Sequence, residues 1–203
     1  MRIALFGGSF DPPHRGHLAA AQAAADAFAL DRIYVAPTGR QPLKFTGPQA
    51  SFEDRLAMTQ LLCKEDPRLV ASSLDYPHPD GAPNYTVDLL QQLRTPEDTL
   101  FNIVGADSFL DLRYWREPER LLTLAEWIVL SRPGFSLNDL EPLALTLEQR
   151  KYVHLLQTVH VNIAATDIRS RLSDHDLCAD ALTPAVENYI KEHRLYLDGS
   201  EHP

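Results

Sequence analysis

Residues 2–17 read Arg2-Ile3-Ala4-Leu5-Phe6-Gly7-Gly8-Ser9-Phe10-Asp11-Pro12-Pro13-His14-Arg15-Gly16-His17, and an alanine-rich stretch follows directly. Ile3–Phe6 is a short apolar run with the character of a buried strand, ended by two glycines. Gly16–Phe28 carries many alanines and no interior breaker, which predicts a helix. A strand, a tight loop and a helix start are therefore packed into the first 17 residues. Gly7 and Gly8 let the backbone approach a ligand without a β-carbon in the way. Ser9 and Phe10 then present N–H groups, and Gly16 allows close approach between two imidazoles. His14 and His17, three apart, share a face if the helix has begun there. Imidazoles and amides converging at a helix N-terminus, where the dipole is positive, make a site for polyphosphate. No Gly-Lys-Ser/Thr is present, so this is not a Walker loop.

The alternation continues outward from this unit. Strands are predicted at Arg32–Ala36, Leu69–Ser72, Leu100–Val104, Trp127–Leu130 and Val153–Asn162. Helices are predicted at Phe52–Lys64 with Ser51 as N-cap, at Tyr85–Gln92, Asp107–Leu112, Glu117–Leu122 and Thr166–Leu172, and at Pro184–His193. Residues 37–50 and 75–84 are loops by composition, and 134–150 are less regular. Strands alternating with helices imply an α/β, Rossmann-like, doubly wound parallel sheet with helices on both faces. A small C-terminal helical portion spans about 163–195. Residues 1–203 read as a single domain, without a repeat or a linker long enough to divide it. In such sheets ligands bind at the carboxyl ends of the strands. Residues 7–17, 37–44, 105–108 and 131–134 all follow predicted strands.

Bulk properties narrow the function classes. The chain has 203 residues, 44% hydrophobic and 23% charged, and a formal net charge of −9. An acidic chain is a poor general binder of nucleic acid, so an anionic substrate must meet a local cluster of basic groups. That directs attention to Arg40, Lys44, Arg132 and Arg169. No stretch approaches the roughly 18 apolar residues of a spanning helix, and the N-terminal run is too short for a signal peptide. The expectation is a cytoplasmic protein without nucleic-acid or membrane partners. Cys63 and Cys178 are far apart in sequence and read as two free thiols. No residues have metal-ligand spacing.

Gly-Gly-Ser-Phe-Asp-Pro-Pro-His-Arg-Gly-His resembles the signature of the nucleotidylyltransferase superfamily that carries a His-x-Gly-His motif. Its Gly-Gly-x-Phe-Asp-Pro form resembles one branch, the bacterial nicotinate-nucleotide adenylyltransferases. The resemblance runs from Ile3 to about Leu195. It implies that AMP passes from ATP to nicotinate mononucleotide, giving deamido-NAD and pyrophosphate in NAD biosynthesis, with Mg²⁺ carried in with ATP. His14 would stabilise the α-phosphate during transfer and His17 would hold the polyphosphate, together with Gly7, Gly8, Ser9 and Phe10.

Five further stretches carry the likeness. Ile163–Arg171 resembles the family's Ile-Ser-x-Thr-x-Ile-Arg motif, which would bring Thr166, Ile168 and Arg169 to the ATP phosphates; Ala164 stands where that motif has Ser. Thr166 there reads as a natural N-cap. Gly105-Ala106-Asp107-Ser108 resembles the family's Gly-x-Asp-Ser, with Gly105 and Asp107 beside the nucleotide and Asp107 near its ribose. Trp115 corresponds to an aromatic that stacks on the pyridine ring. Tyr85-Thr86 resembles the Tyr-Thr that holds the pyridine carboxylate, and Arg132-Pro133-Gly134 the turn lining the mononucleotide pocket. Lys44 fits the family's loop lysine, but Leu43 replaces the histidine before it. Alternative substrates within the superfamily are nicotinamide mononucleotide and phosphopantetheine. A non-catalytic nucleotide-binding module is the alternative of another class. Homo-oligomerisation is left open.

Overall fold

The computed structural model describes residues 1–40, 47–131, 136–157 and 163–197. Six strands form one parallel sheet: β1 Arg2–Gly8, β2 Arg32–Pro37, β3 Leu69–Ala71, β4 Thr99–Gly105, β5 Glu126–Ser131 and β6 Val153–Gln157. Their order is β3-β2-β1-β4-β5-β6. Every neighbouring pair is parallel. The chain therefore winds outward from β1 in one direction, then returns and winds outward from β4 in the other. This is the doubly wound arrangement expected from the alternation, and its crevice lies between β1 and β4.

The sequence of β1 explains its central place. Ile3 and Leu5 pack into a core cluster on one face, Ala4 and Phe6 into a second cluster on the other. A strand buried on both faces carries an unbroken apolar run, as Ile3–Phe6 does. Helix α1 (Arg15–Ala27) lies on the second face. Its buried residues are Ala20, Ala21, Ala24 and Ala25, small enough to seat the helix close to the sheet. Helix α2 (Phe52–Cys63) begins at Ser51, whose side chain accepts the Asp54 N–H at 3.0 Å, as the sequence predicts.

The first face is covered by α3 (Thr86–Leu93), the single-turn α4 (Ala106–Leu110) and α5 (Pro118–Leu124). The helix expected over Asp107–Leu112 is thus divided. After Leu110 the chain tightens into a short 3-10 helix, Leu112–Tyr114. The irregular stretch before β6 contains a 3-10 helix, Leu137–Leu143, and one turn of helix, α6 (Leu147–Arg150). The last strand ends at Gln157, and 158–162 of the predicted strand lie outside the described residues.

Helices α7 (Ala165–Ser173) and α8 (Pro184–Glu192) form the C-terminal helical portion. They close a third apolar cluster with α2, in which Met58, Leu62, Ile168, Leu172, Val186 and Ile190 are buried. This places the N-terminus of α7 against the loop after β1. Both cysteines are buried free thiols, and burial pushes Cys63 up to about 12. Among the described residues no helix is long and apolar enough to cross a membrane.

Candidate active site

The carboxyl ends of β1, β2 and β4 open into a cavity of about 430 Å³. Gly7 and Gly8 line it from β1, Ala36 from β2, Thr38 from just beyond β2, and Gly105 from β4. A Cβ on Gly7 would meet nothing within 4 Å, so this backbone faces open space. A Cβ on Gly8 would press on the Phe10 ring at 3.2 Å. Thr38 joins the two strand ends: its N–H and its hydroxyl both donate to the Gly8 carbonyl, at 2.8 and 3.0 Å. Tyr85, Thr86 and Trp115 form a further wall. Trp115 is half-buried and packs edge-on against the fully buried Trp127, ring centroids 6.0 Å apart. Its anchoring and its presence in the cavity are therefore compatible.

Beyond Gly8 the loop turns toward α1. Phe10 adopts φ 47°, a conformation uncommon for a residue with a β-carbon. Its ring is fully buried, edge-on to Phe6 at 5.5 Å and to His17 at 4.8 Å. The sequence reading gave Phe10 an amide role; the structure adds a packing role, wedging the loop in place. His14 is the N-cap of α1 and His17 its third residue. Their rings stack, centroids 3.7 Å apart and 28° between planes. The backbone N–H of His14 donates to Nδ1 of His17 at 3.2 Å. A neutral His17 therefore carries its proton on Nε2, the atom left to donate outward.

Burial pushes His14 down to about 4 and lowers His17 well below the ordinary histidine range, with the neighbouring His14 adding to the second shift. The pair is neutral at pH 7 without a ligand. His14 Nδ1 is buried and has no partner among the described residues. A polyanion set against this pair would supply the counter-charge that burial denies it.

Arg169 reaches the same loop from α7. Its Nη1 donates to the Asp11 carbonyl at 2.7 Å, and Nη2 to Thr166 Oγ1 at 3.4 Å. Helix α7 starts one residue earlier than expected. Ala164 is its N-cap and Thr166, exposed, lies in its first turn, because the chain turns helical at Ala165. The Ile168 side chain is buried among apolar residues, and its N–H bonds the Ala164 carbonyl. Ile168 thus anchors the helix and offers no free group to a ligand. Ser9 is half-buried, and its carbonyl is already engaged. Asp107 is exposed in the first turn of α4 and does not line the cavity; Gly105 and Ser108 do. Lys44, Leu43 and Arg132 lie outside the described residues.

Several residues that shape the site escaped the sequence reading. Arg55 is 1% exposed; its Nη1 donates to the Ser9 and Thr38 carbonyls at 2.8 and 2.9 Å, and Nε to the Ala50 carbonyl at 3.3 Å. Burial lowers its affinity for its proton. The signal was its register, three residues after Phe52 and three before Met58 on the apolar face of α2. Asp11, also buried, accepts the amides of Gln49 and Ala50 at 2.8 and 3.1 Å and the Tyr196 hydroxyl at 2.7 Å. Asp75, in the cavity wall, accepts Asn84 Nδ2 at 3.0 Å, and burial pushes it up to about 6. Its backbone carbonyl stands 2.3 Å from where a Cβ on Gly39 would sit, so only glycine fits there. Arg40, one of the basic residues to which the sequence did direct attention, lines the cavity and donates to the Gly81 carbonyl.

Comparison with known proteins places this geometry in a family. The cytidylyltransferase-like family matches residues 5–171. A probable nicotinate-nucleotide adenylyltransferase of Thermus thermophilus is 41% identical over 198 residues, covering 97% of this chain and 100% of the relative. One from Desulfatibacillum aliphaticivorans is 35% identical over 218 residues, again 97% and 100%. Among solved structures, the Plasmodium falciparum nicotinic acid mononucleotide adenylyltransferase complexed with NaAD superimposes with a TM-score of 0.73 at 20% identity, covering 96% of this chain and 97% of that one.

Proposed function

This chain belongs to the cytidylyltransferase-like family and, within it, to the nicotinate-nucleotide adenylyltransferases, and we propose how its residues divide their reaction between two half-sites. The activity is adenylyl transfer from ATP to nicotinate mononucleotide, a step of NAD biosynthesis. A 5′-phosphate oxygen of the mononucleotide attacks the α-phosphorus of ATP in line. The new P–O bond forms as the α-phosphorus separates from the oxygen bridging to the β-phosphorus. Deamido-NAD and pyrophosphate leave. The attacking phosphate is already ionised near pH 7, so no side chain has to remove a proton. Both reactants are anions, and the protein's work is alignment and charge stabilisation.

The observation that carries this division is that one loop serves two unlike sites: Gly7 and Gly8 line the cavity, while the Phe10 ring packs against His17 of the stacked His14–His17 pair at the start of α1, a pair that is not part of the cavity lining. In this reading His14 and His17, with the amides of Gly7, Gly8, Ser9 and Phe10, face the ATP phosphates. Arg169 and Thr166 close on them from α7, and Gly105 and Asp107 lie beside the nucleoside. The mononucleotide occupies the cavity, its pyridine ring against Trp115, with Tyr85, Thr86, Arg132 and Lys44 around it. Nucleotidyltransferases use a divalent cation, here Mg²⁺ arriving with ATP as part of the substrate. The Asp11 carboxylate is occupied by two amides and a hydroxyl, and among the described residues no group of three or more His, Cys, Asp or Glu could hold the ion, so it would come with the nucleotide and supply charge neutralisation there. Reaction in the cytoplasm as one 203-residue domain, without nucleic-acid or membrane partners, completes the reading.

The test is pyrophosphate release from Mg-ATP with nicotinate mononucleotide, nicotinamide mononucleotide and phosphopantetheine in parallel. Fastest release with the nicotinate substrate is expected. Fastest release with another acceptor refutes the assignment of the cavity, and no release with any acceptor refutes catalysis.

A further inference from the structure

The chain leaves α8 in a tight turn. The Leu195 N–H donates to the Ile190 carbonyl at 3.0 Å and the Arg194 N–H to the Lys191 carbonyl at 3.3 Å, with Arg194 at φ 53°. This is a Schellman closure of the helix, and it turns the chain back. Leu195 and Tyr196 then pack on the third apolar cluster, which fixes the half-buried Tyr196 ring. The Tyr196 hydroxyl donates to Asp11 Oδ1 at 2.7 Å. Burial, and after it the Asp11 carboxylate, push the phenol pKa up, so the hydroxyl keeps its proton and remains the donor.

Asp11 stands in the loop between Gly8 and His14. Its Oδ2 accepts the Gln49 N–H, and its Oδ1 the Ala50 N–H as well as the Tyr196 hydroxyl. Its backbone carbonyl accepts Arg169 Nη1 at 2.7 Å, and the same Nη1 lies 3.8 Å from Oδ2, too far for a hydrogen bond. Donors on the carboxylate thus leave Arg169 on the carbonyl, with its charge only loosely matched. Removing the hydroxyl strips a donor from a buried carboxylate oxygen, which then draws on a nearby cation. Arg55, the other cation acting on Asp11, has Nη1 and Nε committed to the Ser9, Thr38 and Ala50 carbonyls. Arg169 is the cation left to move, and a guanidinium paired with a carboxylate has less charge and fewer donors for a polyanion.

We propose that Tyr196 is a positioning residue of the nucleotide half-site: by holding the Asp11 carboxylate, it keeps the Arg169 guanidinium on the Asp11 carbonyl and available to the phosphates of ATP. The proposal rests on the assignment of Arg169 to those phosphates. The segment after α8 then takes part in nucleotide binding without touching the nucleotide. Tyr189 supplies an internal comparison. Its hydroxyl also donates to a carboxylate, Asp54 Oδ1 at 3.0 Å, and also ties α8 to α2, but it reaches neither Asp11 nor Arg169.

The experiment compares the wild type with Tyr196→Phe, Tyr189→Phe, Arg169→Gln and the double variant Tyr196→Phe/Arg169→Gln, at a temperature where urea unfolding shows all of them folded. Calorimetry gives Kd for Mg-ATP alone, and pyrophosphate release gives KM for ATP and for nicotinate mononucleotide. Tyr196→Phe is expected to weaken ATP binding about 10-fold and to leave KM for the mononucleotide nearly unchanged. Tyr189→Phe is expected to leave both unchanged. In the Arg169→Gln background the loss of the Tyr196 hydroxyl is expected to change Kd for ATP less than about 2-fold, since two residues acting through one contact are not additive. Unchanged ATP binding in Tyr196→Phe, equal rises in both KM values, the same loss in Tyr189→Phe, or a full loss persisting in the Arg169→Gln background each overturn the positioning role. A wild type that binds ATP without releasing pyrophosphate refutes the proposed reaction, while the Kd values still decide this inference. A wild type that does not bind ATP overturns both.

Discussion

Replacing Arg55 by methionine is expected to destabilise the protein and slow catalysis together, although Arg55 touches no substrate. The side chain is 1% exposed and bonds three carbonyls, those of Ser9, Thr38 and Ala50. Methionine fills a similar volume and supplies no donor. The two bonds from Nη1, at 2.8 and 2.9 Å, are the strong ones. Each buried carbonyl left unpaired costs about 1–3 kcal/mol. Removing a desolvated guanidinium returns part of that, and its lowered proton affinity shows that its burial is unfavourable. Asp11 and Asp75, however, lose a nearby cation. The net loss is about 2–4 kcal/mol, which for a chain of this size lowers Tm by roughly 5–15 °C. Turnover falls as well, because the Ser9 carbonyl belongs to the loop that carries Phe10 and leads to His14. Urea unfolding gives the stability change, provided the slope m is the same for both proteins. Pyrophosphate release gives the rate. Arg55→Lys, with one ammonium for several carbonyls, is expected to be intermediate. An Arg55→Met protein with unchanged midpoint and full turnover would refute the claim that these bonds hold the loop.

Three other outcomes are expected. His14→Ala lowers kcat by on the order of 10²-fold or more while KM for ATP changes little, as the proposed transition-state role requires; an unchanged kcat removes His14 from the mechanism. Trp115→Ala raises KM for the mononucleotide and leaves that for ATP nearly alone, and a shift in ATP KM instead means the half-sites are reversed. Stability without ligands has an acid-sensitive component. His14 titrates at about 4 when folded and near 6.5 when unfolded, so below about pH 6.5 the unfolded chain binds the extra proton and stability falls toward pH 4. The full shift corresponds to about 3 kcal/mol. Asp75, raised to about 6, works the other way, destabilising as pH rises from about 4 to 6. Denaturation of the wild type and His14→Gln across this range separates the two. Parallel profiles would show that His14 contributes no such linkage.

Much of this protein is legible along the chain because its signals are local. The apolar run of β1, the two glycines and the alanine helix specify their own conformations, and short-range alternation then commits the chain to a parallel sheet. The pattern 7–17 likewise brings two glycines at a strand end and the stacked His14–His17 pair together within one stretch of loop and helix start. Boundaries were less legible where local propensity is weak. Thr166 has the chemistry of an N-cap, yet the helix starts earlier, at Ala165, with Ile168 and Leu172 buried in the third apolar cluster. Ile168 carries the motif's spacing but is spent on that core.

The sequence by itself determined the fold class, the pairing of His14 with His17 on one helix start and the reaction family, since these depend on residues near one another in the chain. Only the tertiary structure decided what meets across long separations. It brought Arg55 to Ser9 and Thr38, Tyr196 to Asp11, and Arg169 to the Asp11 carbonyl. It also seated Arg116 on Tyr85 inside the cavity. Such contacts join residues from about 17 to 185 positions apart. Chain-local propensity cannot encode them, because they exist only once burial removes water and obliges each charge and carbonyl to find its partner.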